Sequence, residues 1–275
     1  MTLRFAKYEG LSNDFIIVDL AGGDEQGRAA LRARAVELCD RHRGVGADGV
    51  LIVTPGDRPH MEVVNADGSF AQMCGNGLRC VALHLYRTQV VGSGPFVVDT
   101  DAGPHGCEVL SSELVRVAMV PAKVSPADLP LRAGQPWVDT PLSLPSGRLH
   151  LTAVSMGNPH AVTFDAVGDG RLQLGPEVAR DDHFPEGVNV GFGQMNSADD
   201  MRLDVLERGA GWTQACGTGA CAAAVAAVLT GRAERGKPLT VRLPGGPLQI
   251  VVGAEGESIL MTGPTRHVFD GVLPA

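Results

Sequence analysis

Two phrases in this chain place a thiol beside paired glycines: MCGNGLRC at 73–80 and ACGTGAC at 215–221. In each, a cysteine (Cys74 or Cys216) precedes Gly-x-Gly and then an apolar run of helical character. The first N–H groups of a helix lack intrahelical acceptors, and the helix dipole makes that end an anion site. A small-molecule carboxylate suits such a site, and the glycines let it approach the backbone closely. The same field is expected to lower the pKa of a thiol at the helix start, which favours the thiolate. Each phrase therefore offers a carboxylate cradle and an activated sulfur. Two such units gripping one ligand would set a sulfur on each face of its α-carbon. One thiolate would take the α-proton while the opposite thiol delivers another, with helix N–H groups aimed at the developing enolate charge. That is the chemistry of inverting a stereocentre, and one cysteine cannot serve both faces without moving. A single cysteine beside glycine is more often a packing residue. The matching pair carries the catalytic reading.

The other four cysteines do not share this setting. Cys80 and Cys221 lie one to two turns inside the helical runs and are expected in the core, and Cys39 and Cys107 carry no signal. The spacings give neither C-x-x-C nor paired histidines, so neither zinc nor any other metal is expected. A bare Gly-x-Gly without the strand and distant acid of a dinucleotide fold is weak evidence for a nucleotide. An even cysteine count in a chain this long does not call for disulfides.

The elements that would position these groups come next. The chain has 275 residues, 44% hydrophobic and 20% charged, with 4% aromatic residues and a net charge of −8. That length suits two domains, and the acidic, ring-poor composition argues against tracking a nucleic acid. The opening MTLRFAKYEGLSNDF is polar where a secretory segment would be apolar. The longest small-apolar run, ACAAAVAAVL, is about half of what a membrane span needs. A cytoplasmic protein without membrane or nucleic-acid partners is expected. Strand-like runs occur at 13–19, 48–53, 60–65, 95–100 and 114–120, and again at 149–157, 160–164, 187–192, 201–209, 239–243 and 248–253. Helical patterns occur at 29–41, 77–91 and 217–229. Proline and glycine crowd 120–137, which marks a boundary. The order of elements recurs in the two halves, as in an internal pseudo-repeat.

Seven quoted stretches make the chain similar to a known family. LSNDFIIVD, RHRGVGADGV, NADGSFAQMCGNGLRC, SMGNPHAV, EGVNVGF, LERGAGWTQACGTGACA and RHVFDG, in this order, resemble the diaminopimelate epimerases. These are cofactor-independent enzymes of lysine and cell-wall precursor synthesis. The resemblance implies an α/β (α+β) fold of two pseudo-symmetric domains, each a mixed sheet wrapped around a central helix, with the active site in the cleft between them. The domains would be 1–121, joined by a returning 263–275, and 122–262. It implies that Cys74 is proton donor and Cys216 acceptor in one direction, with roles exchanged in reverse. Gly75, Asn76, Gly217 and Thr218 would hold the reacting carboxylate through backbone N–H groups. The distal amino-acid end would meet Arg208, whose guanidinium binds a carboxylate in bidentate fashion. Asn13, Asn65, Asn158 and Asn189 would complete recognition, and Glu207 would accept from an ammonium group. His160 and Glu207 would also tune the two thiols. No cofactor is implied, the substrate is diaminopimelate, and enzymes of this type are often homodimers. Closure of the domains on substrate is expected, since a carbanion must be shielded from water.

The chain departs from the family pattern at Ser12, where many relatives have Gly, and at Gly49, where some carry a substrate-touching Gln. It has Gly211-Trp212-Thr213 for Gly-Glu-Thr and Leu206 for an aromatic residue. The remaining seven histidines are expected to be structural. The alternatives are a histidine or proline/hydroxyproline racemase on the same fold, a non-catalytic amino-acid binder, and a thiol-disulfide oxidoreductase. Proline-type relatives usually have histidine where this chain has Asn76, which favours diaminopimelate. A binder would have no reason to keep both sulfurs.

Overall fold

The computed structural model describes residues 2–274. The chain forms two compact units, Met1–Ala118 with Thr262–Ala275, and Met119–Met261. It is a mixed α/β protein, and each unit is a mixed sheet with one helix packed across most of its strands.

The first unit contains β1 (Leu3–Gly10), β2 (Asn13–Asp19), α1 (Glu25–Cys39), β3 (Gly49–Thr54), β4 (His60–Asn65), the short β5 (Phe70–Ala71), α2 (Gly75–Arg87), β6 (Phe96–Thr100) and β7 (Gly103–Ser111). β8 (Leu114–Pro121) carries the chain out of this unit. β1 pairs antiparallel with β2, β2 parallel with β3, β3 antiparallel with β4, β4 parallel with β6, and β6 antiparallel with β7. The hydrophobic runs of β2 and β3 alternate between two buried faces. Ile16, Val18, Val50 and Ile52 meet Leu31, Ala35 and Leu38 of α1. The opposite face receives α2, where an added Cβ at Gly77 would lie 3.1 Å from Leu51. α2 packs against β1, β2, β3, β4 and β7, and every residue from Gly75 to Leu85 is buried.

The second unit contains β9 (Thr140–Leu144), β10 (Gly147–Ser155), β11 (Pro159–Thr163), α3 (Arg171–Ala179), β12 (Asn189–Ser197), β13 (Asp200–Glu207), β14 (Gly211–Thr213), α4 (Gly217–Leu229), β15 (Pro238–Leu243) and β16 (Gly246–Val251). β17 (Ser258–Pro264) then returns the chain to the first unit, where β18 (Arg266–Leu273) pairs antiparallel with β1. β10 to β13, β15 and β16 repeat the pairing of β1 to β4, β6 and β7: antiparallel, parallel, antiparallel, parallel, antiparallel. α4 packs against β10, β11, β12, β13, β15 and β16. Its run of fully buried alanines, such as Ala222, Ala223 and Ala224, lets strand side chains close on the helix. Among the described residues, no helix is long and apolar enough to cross a membrane.

Several expected boundaries shift for local reasons. α1 begins at Glu25 rather than 29, because Asp24 caps it and accepts from the Gly27 N–H at 2.8 Å. α2 begins at Gly75 rather than 77, directly after Cys74. It ends at Arg87 rather than 91, because Gln89 turns left-handed (φ 60°) and Val90 N–H closes back on Leu85. The expected runs lack β1, β7, β9, β17, β18, the short β5 and β14, and α3. α3 contains Gly175 and Pro176, which read as helix breakers. The β1–β2 turn places Leu11 and Ser12 at φ 60° and 63°. Glycine would take the positive φ at position 12 without penalty, whereas Ser12 does not.

A charge cluster ties β1 and β2 to the loop before β3. Asp14 meets Lys7 at 2.5 Å and Arg41 at 2.6 Å. Burial would raise its pKa, but hydrogen bonds from Arg41 and Lys7 outweigh that and hold it at about 2. A depressed carboxylate stabilises the fold above its unfolded pKa near 4, and that contribution disappears as pH falls through about 2. Resistance of the wild type to denaturant is expected to fall as pH drops between those values, and Asp14→Asn should flatten that segment. An unchanged pH slope in the variant would refute the assignment.

Candidate active site

The same local construction appears at the start of α2 and of α4. Cys74 and Cys216 are the N-cap residues, both with extended backbone. Each sulfur accepts from the third helical N–H: Gly77 to Cys74 at 3.4 Å and Gly219 to Cys216 at 3.3 Å. The N–H groups of Gly75 and Asn76, and of Gly217 and Thr218, precede the first intrahelical donor and are available to an anion. The glycine at the third position is closely packed in both copies. An added Cβ would lie 3.1 Å from Leu51 in one and 3.1 Å from the Cys216 sulfur in the other.

The strand register extends the correspondence to the surrounding residues. Phe15, Gly49 and Asn65 lie side by side on β2, β3 and β4. His160 and Asn189 pair on β11 and β12, and Val190 pairs with Leu206, so Glu207 stands next to Asn189. By register, Asn13 corresponds to Asn158, Phe15 to His160, Gly49 to Asn189 and Asn65 to Glu207. Within the repeat Cys-Gly-x-Gly-x-x, Arg79 corresponds to Cys221. The two sites therefore share a frame and differ in charge.

In the first unit Asn76 Nδ2 donates to Asn13 Oδ1 at 3.3 Å, and Asn13 Nδ2 donates to Asp48 at 2.8 Å. Asp48 is fixed in turn by Arg41 at 2.8 Å. Arg79, fully buried, donates to Asn76 Oδ1 at 3.0 Å. Asn65 Nδ2 donates to the Ser69 hydroxyl at 2.9 Å. Gly49 has no room for a side chain, because a Cβ would stand 2.9 Å from the Val64 carbonyl oxygen. Cys74 itself is half-buried.

In the second unit a chain of polar groups leads to Cys216. His160 Nε2 donates to Asn158 Oδ1 at 3.0 Å, Asn158 Nδ2 donates to Thr218 Oγ1 at 3.4 Å, and Thr218 Oγ1 lies 3.6 Å from the sulfur. Burial, with repulsion from Arg208 second, pushes His160 down to about 3, so its ring is neutral. Thr213 Oγ1 donates to Glu207 Oε1 at 2.6 Å. Asn189 is buried and engaged with backbone at both ends of its amide: it donates to the Pro159 carbonyl at 3.0 Å and accepts from Arg208 N–H at 2.8 Å. Arg208 is exposed and donates to the Glu186 carbonyl at 2.6 Å.

The sequence led us to expect an acidified thiol at each helix start. For Cys216 the structure shows the opposite direction. Burial raises its pKa most, and the Glu207 charge adds to that; hydrogen bonds from Thr218 and Gly219 only partly offset it. Desolvation penalises the thiolate more than the helix field favours it. Cys80 and Cys107 are likewise raised to about 12 by burial.

Leu206 and Trp212, two departures from the family pattern, are direct cross-strand neighbours. They face Gly175 of α3, where an added Cβ would lie 3.3 Å from Leu206 and 3.4 Å from Trp212. Strand alternation puts them on the opposite sheet face from Glu207 and Thr213. The two departures therefore form one coupled packing change under α3. Asp48, Arg79 and Thr213 were not singled out from the sequence. All three lie inside the quoted motifs, and a charged or hydroxyl residue within a glycine-rich motif was the available signal.

The profile of the family described as diaminopimelate epimerase matches residues 5–124 and 152–268. The diaminopimelate epimerase of Acaryochloris marina (strain MBIC 11017) is 41% identical over 284 residues, covering 99% of each chain. That of Thermosynechococcus vestitus (strain NIES-2133 / IAM M-273 / BP-1) is 42% identical over 288 residues and covers 100% of both. Among solved structures, a hydroxyproline epimerase from Agrobacterium vitis with bound trans-4-OH-L-proline superposes with a TM-score of 0.69 at 15% identity, covering 99% of this chain and 92% of that one. A probable proline racemase from Agrobacterium radiobacter K84 gives 0.68 at 18% identity, with coverage of 99% and 92%. These two likenesses concern the fold. The full-length identity near 40%, together with the family profile, shows that this chain belongs to the diaminopimelate epimerase family.

Proposed function

We propose that this chain is an isomerase that interconverts LL- and meso-2,6-diaminopimelate by two-base proton transfer at one α-carbon. The observation that carries this is the thiol-capped helix start built twice on one strand frame, at Cys74 and at Cys216. Family membership supplies the substrate. Two-base inversion requires the two sulfurs to reach opposite faces of one α-carbon. In one direction Cys216, as thiolate, takes the α-proton and Cys74, as thiol, supplies the new one. The product leaves Cys216 protonated and Cys74 as thiolate, so the reverse reaction exchanges the roles. The N–H groups of Gly75, Asn76, Gly217 and Thr218 bind the reacting carboxylate and take up enolate charge in the transition state. Asn13, Asn65, Asn158, Asn189 and Arg208 recognise the remainder of the substrate, with Glu207 as acceptor for an ammonium group. For Cys216 to act as base its proton must leave, and the Glu207 carboxylate beside it is an acceptor for that proton. His160, held neutral, orients Asn158. The reading makes the enzyme cytoplasmic, independent of pyridoxal phosphate, part of lysine and peptidoglycan precursor synthesis, and a homodimer.

The test is epimerisation in heavy water with purified, reduced protein and no added pyridoxal phosphate. Deuterium should enter the inverted meso product from LL-diaminopimelate, with little in recovered substrate at early times. Exchange with L-histidine or L-proline in place of diaminopimelate would keep the mechanism and refute the substrate.

A further inference from the structure

We propose that Thr213 is a positioning residue for Cys216, fixing one oxygen of Glu207 so that the other faces the thiol. The catalytic consequence rests on the function proposed above, but the geometry does not. Thr213 pairs with Val205 and Gly211 pairs with Glu207 across β13 and β14. Alternation puts Val205, Glu207 and Thr213 on one sheet face. That face carries α4, since an added Cβ at Gly219 would lie 3.3 Å from Val205. Gly211, directly opposite Glu207, has no side chain there. The carboxylate is therefore able to reach diagonally to Thr213, whose hydroxyl donates to Oε1 at 2.6 Å. Such diagonal neighbours across an antiparallel pair are within reach of long side chains.

A hydroxyl donating to one oxygen of a carboxylate restricts its rotamers and so sets where the second oxygen lies. The Glu207 charge acts on Cys216 and helps keep the proton on sulfur. The other groups set around Cys216 within the unit are Thr218 and Gly219 on α4, and, one step removed, Asn158, His160 and Arg208. In the first unit the position of Glu207 is taken by Asn65, whose Nδ2 donates to Ser69. The carboxylate and its threonine anchor therefore belong to one thiol of the pair.

The experiment compares the full-length wild type, Thr213→Val and Thr213→Ser. Iodoacetamide alkylation is followed across pH and read separately on the Cys74 and Cys216 peptides. Activity on LL-diaminopimelate is followed across the same pH range. Freeing the carboxylate in Thr213→Val should lower the Cys216 alkylation midpoint by about one pH unit and leave Cys74 in place. It should reduce kcat about tenfold, a fraction of a full acid–base contribution, with KM within about twofold. Thr213→Ser should restore both. A wild-type Cys216 midpoint in the valine variant would overturn the proposal, as would equal shifts in valine and serine. If valine fails to fold, Thr213→Ala makes the same deletion with less bulk. Failure of the epimerase reading would show separately, as no turnover by a wild type whose Cys216 midpoint still responds to the hydroxyl.

Discussion

Cys74→Ser and Cys216→Ser should each lower the rate of α-carbon inversion by about 10³-fold, while the folded protein keeps its stability. General acid or base catalysis by one positioned group contributes about 10²–10⁴. A serine hydroxyl cannot supply an anion near neutral pH, so in the two-base reading either substitution removes one of the two proton carriers. The structure separates this loss from damage to the fold. Both sulfurs cap a helix by accepting an N–H, from Gly77 at 3.4 Å and Gly219 at 3.3 Å. Serine preserves that cap, whereas alanine removes it at a cost of about 1 kcal/mol. Serine and alanine variants should therefore be equally inactive, and only the alanine variants should melt earlier. The surviving base in each single variant can still remove a proton from, and return one to, the isomer whose α-hydrogen faces it: LL for Cys74→Ser and meso for Cys216→Ser. Solvent exchange without inversion should then exceed inversion, which is the reverse of the wild type. A Cys74→Ser or Cys216→Ser enzyme that inverts at more than about a tenth of the wild-type rate would refute the two-base reading.

The largest expected loss of stability lies away from the thiols, in Glu62→Gln. Glu62 on β4 is 4% exposed at its side chain and takes Arg32 of α1 at 2.6 Å through each oxygen, with Arg28 at 3.2 Å. Burial raises its pKa most strongly among single causes, yet the two arginines together hold it below the usual carboxylate range. Gln is nearly isosteric but carries no charge. Arg28, 10% exposed, would be left as a buried cation without its full counter-charge. Breaking such a buried pair costs about 3–5 kcal/mol. For units of this size that corresponds to a fall in Tm of roughly 6–20 °C. Calorimetry of Glu62→Gln beside wild type checks this, and a fall below about 3 °C would show that the exposed part of Arg32 and water compensate the pair. Arg32 also lies over Phe70 at 5.3 Å, so Arg32→Lys, which loses the planar contact but keeps the charge, should cost less.

The two helix starts were legible because they rest on short local signals. A cysteine followed by Gly-x-Gly and an apolar run determines a capped helix start, and Cys74 and Cys216 occupy such caps. The apolar faces of α1, with Leu31, Ala35, Leu38 and Cys39 buried, followed from helical spacing alone. The repeat was visible as a phrase said twice, and it held more than was drawn from it. α1 lies between β2 and β3, so the repeated order called for a helix between β11 and β12, where Gly175 and Pro176 masked α3.

What the sequence by itself determined, then, is the pair of thiols, their helix starts, the mixed α/β class and the family. Those follow from residue type and spacing, which act over a few bonds and a few turns. Only the tertiary structure decided the electrostatics around them. Cys216 is raised rather than lowered because burial and Glu207 act through space, against a helix field read from local sequence. Arg79, Asp48 and Thr213 became significant only when strand pairing and helix packing brought them onto Asn76, Asn13 and Glu207. Desolvation and Coulomb interaction depend on what surrounds a group in three dimensions, and residues far apart in the chain supply those surroundings.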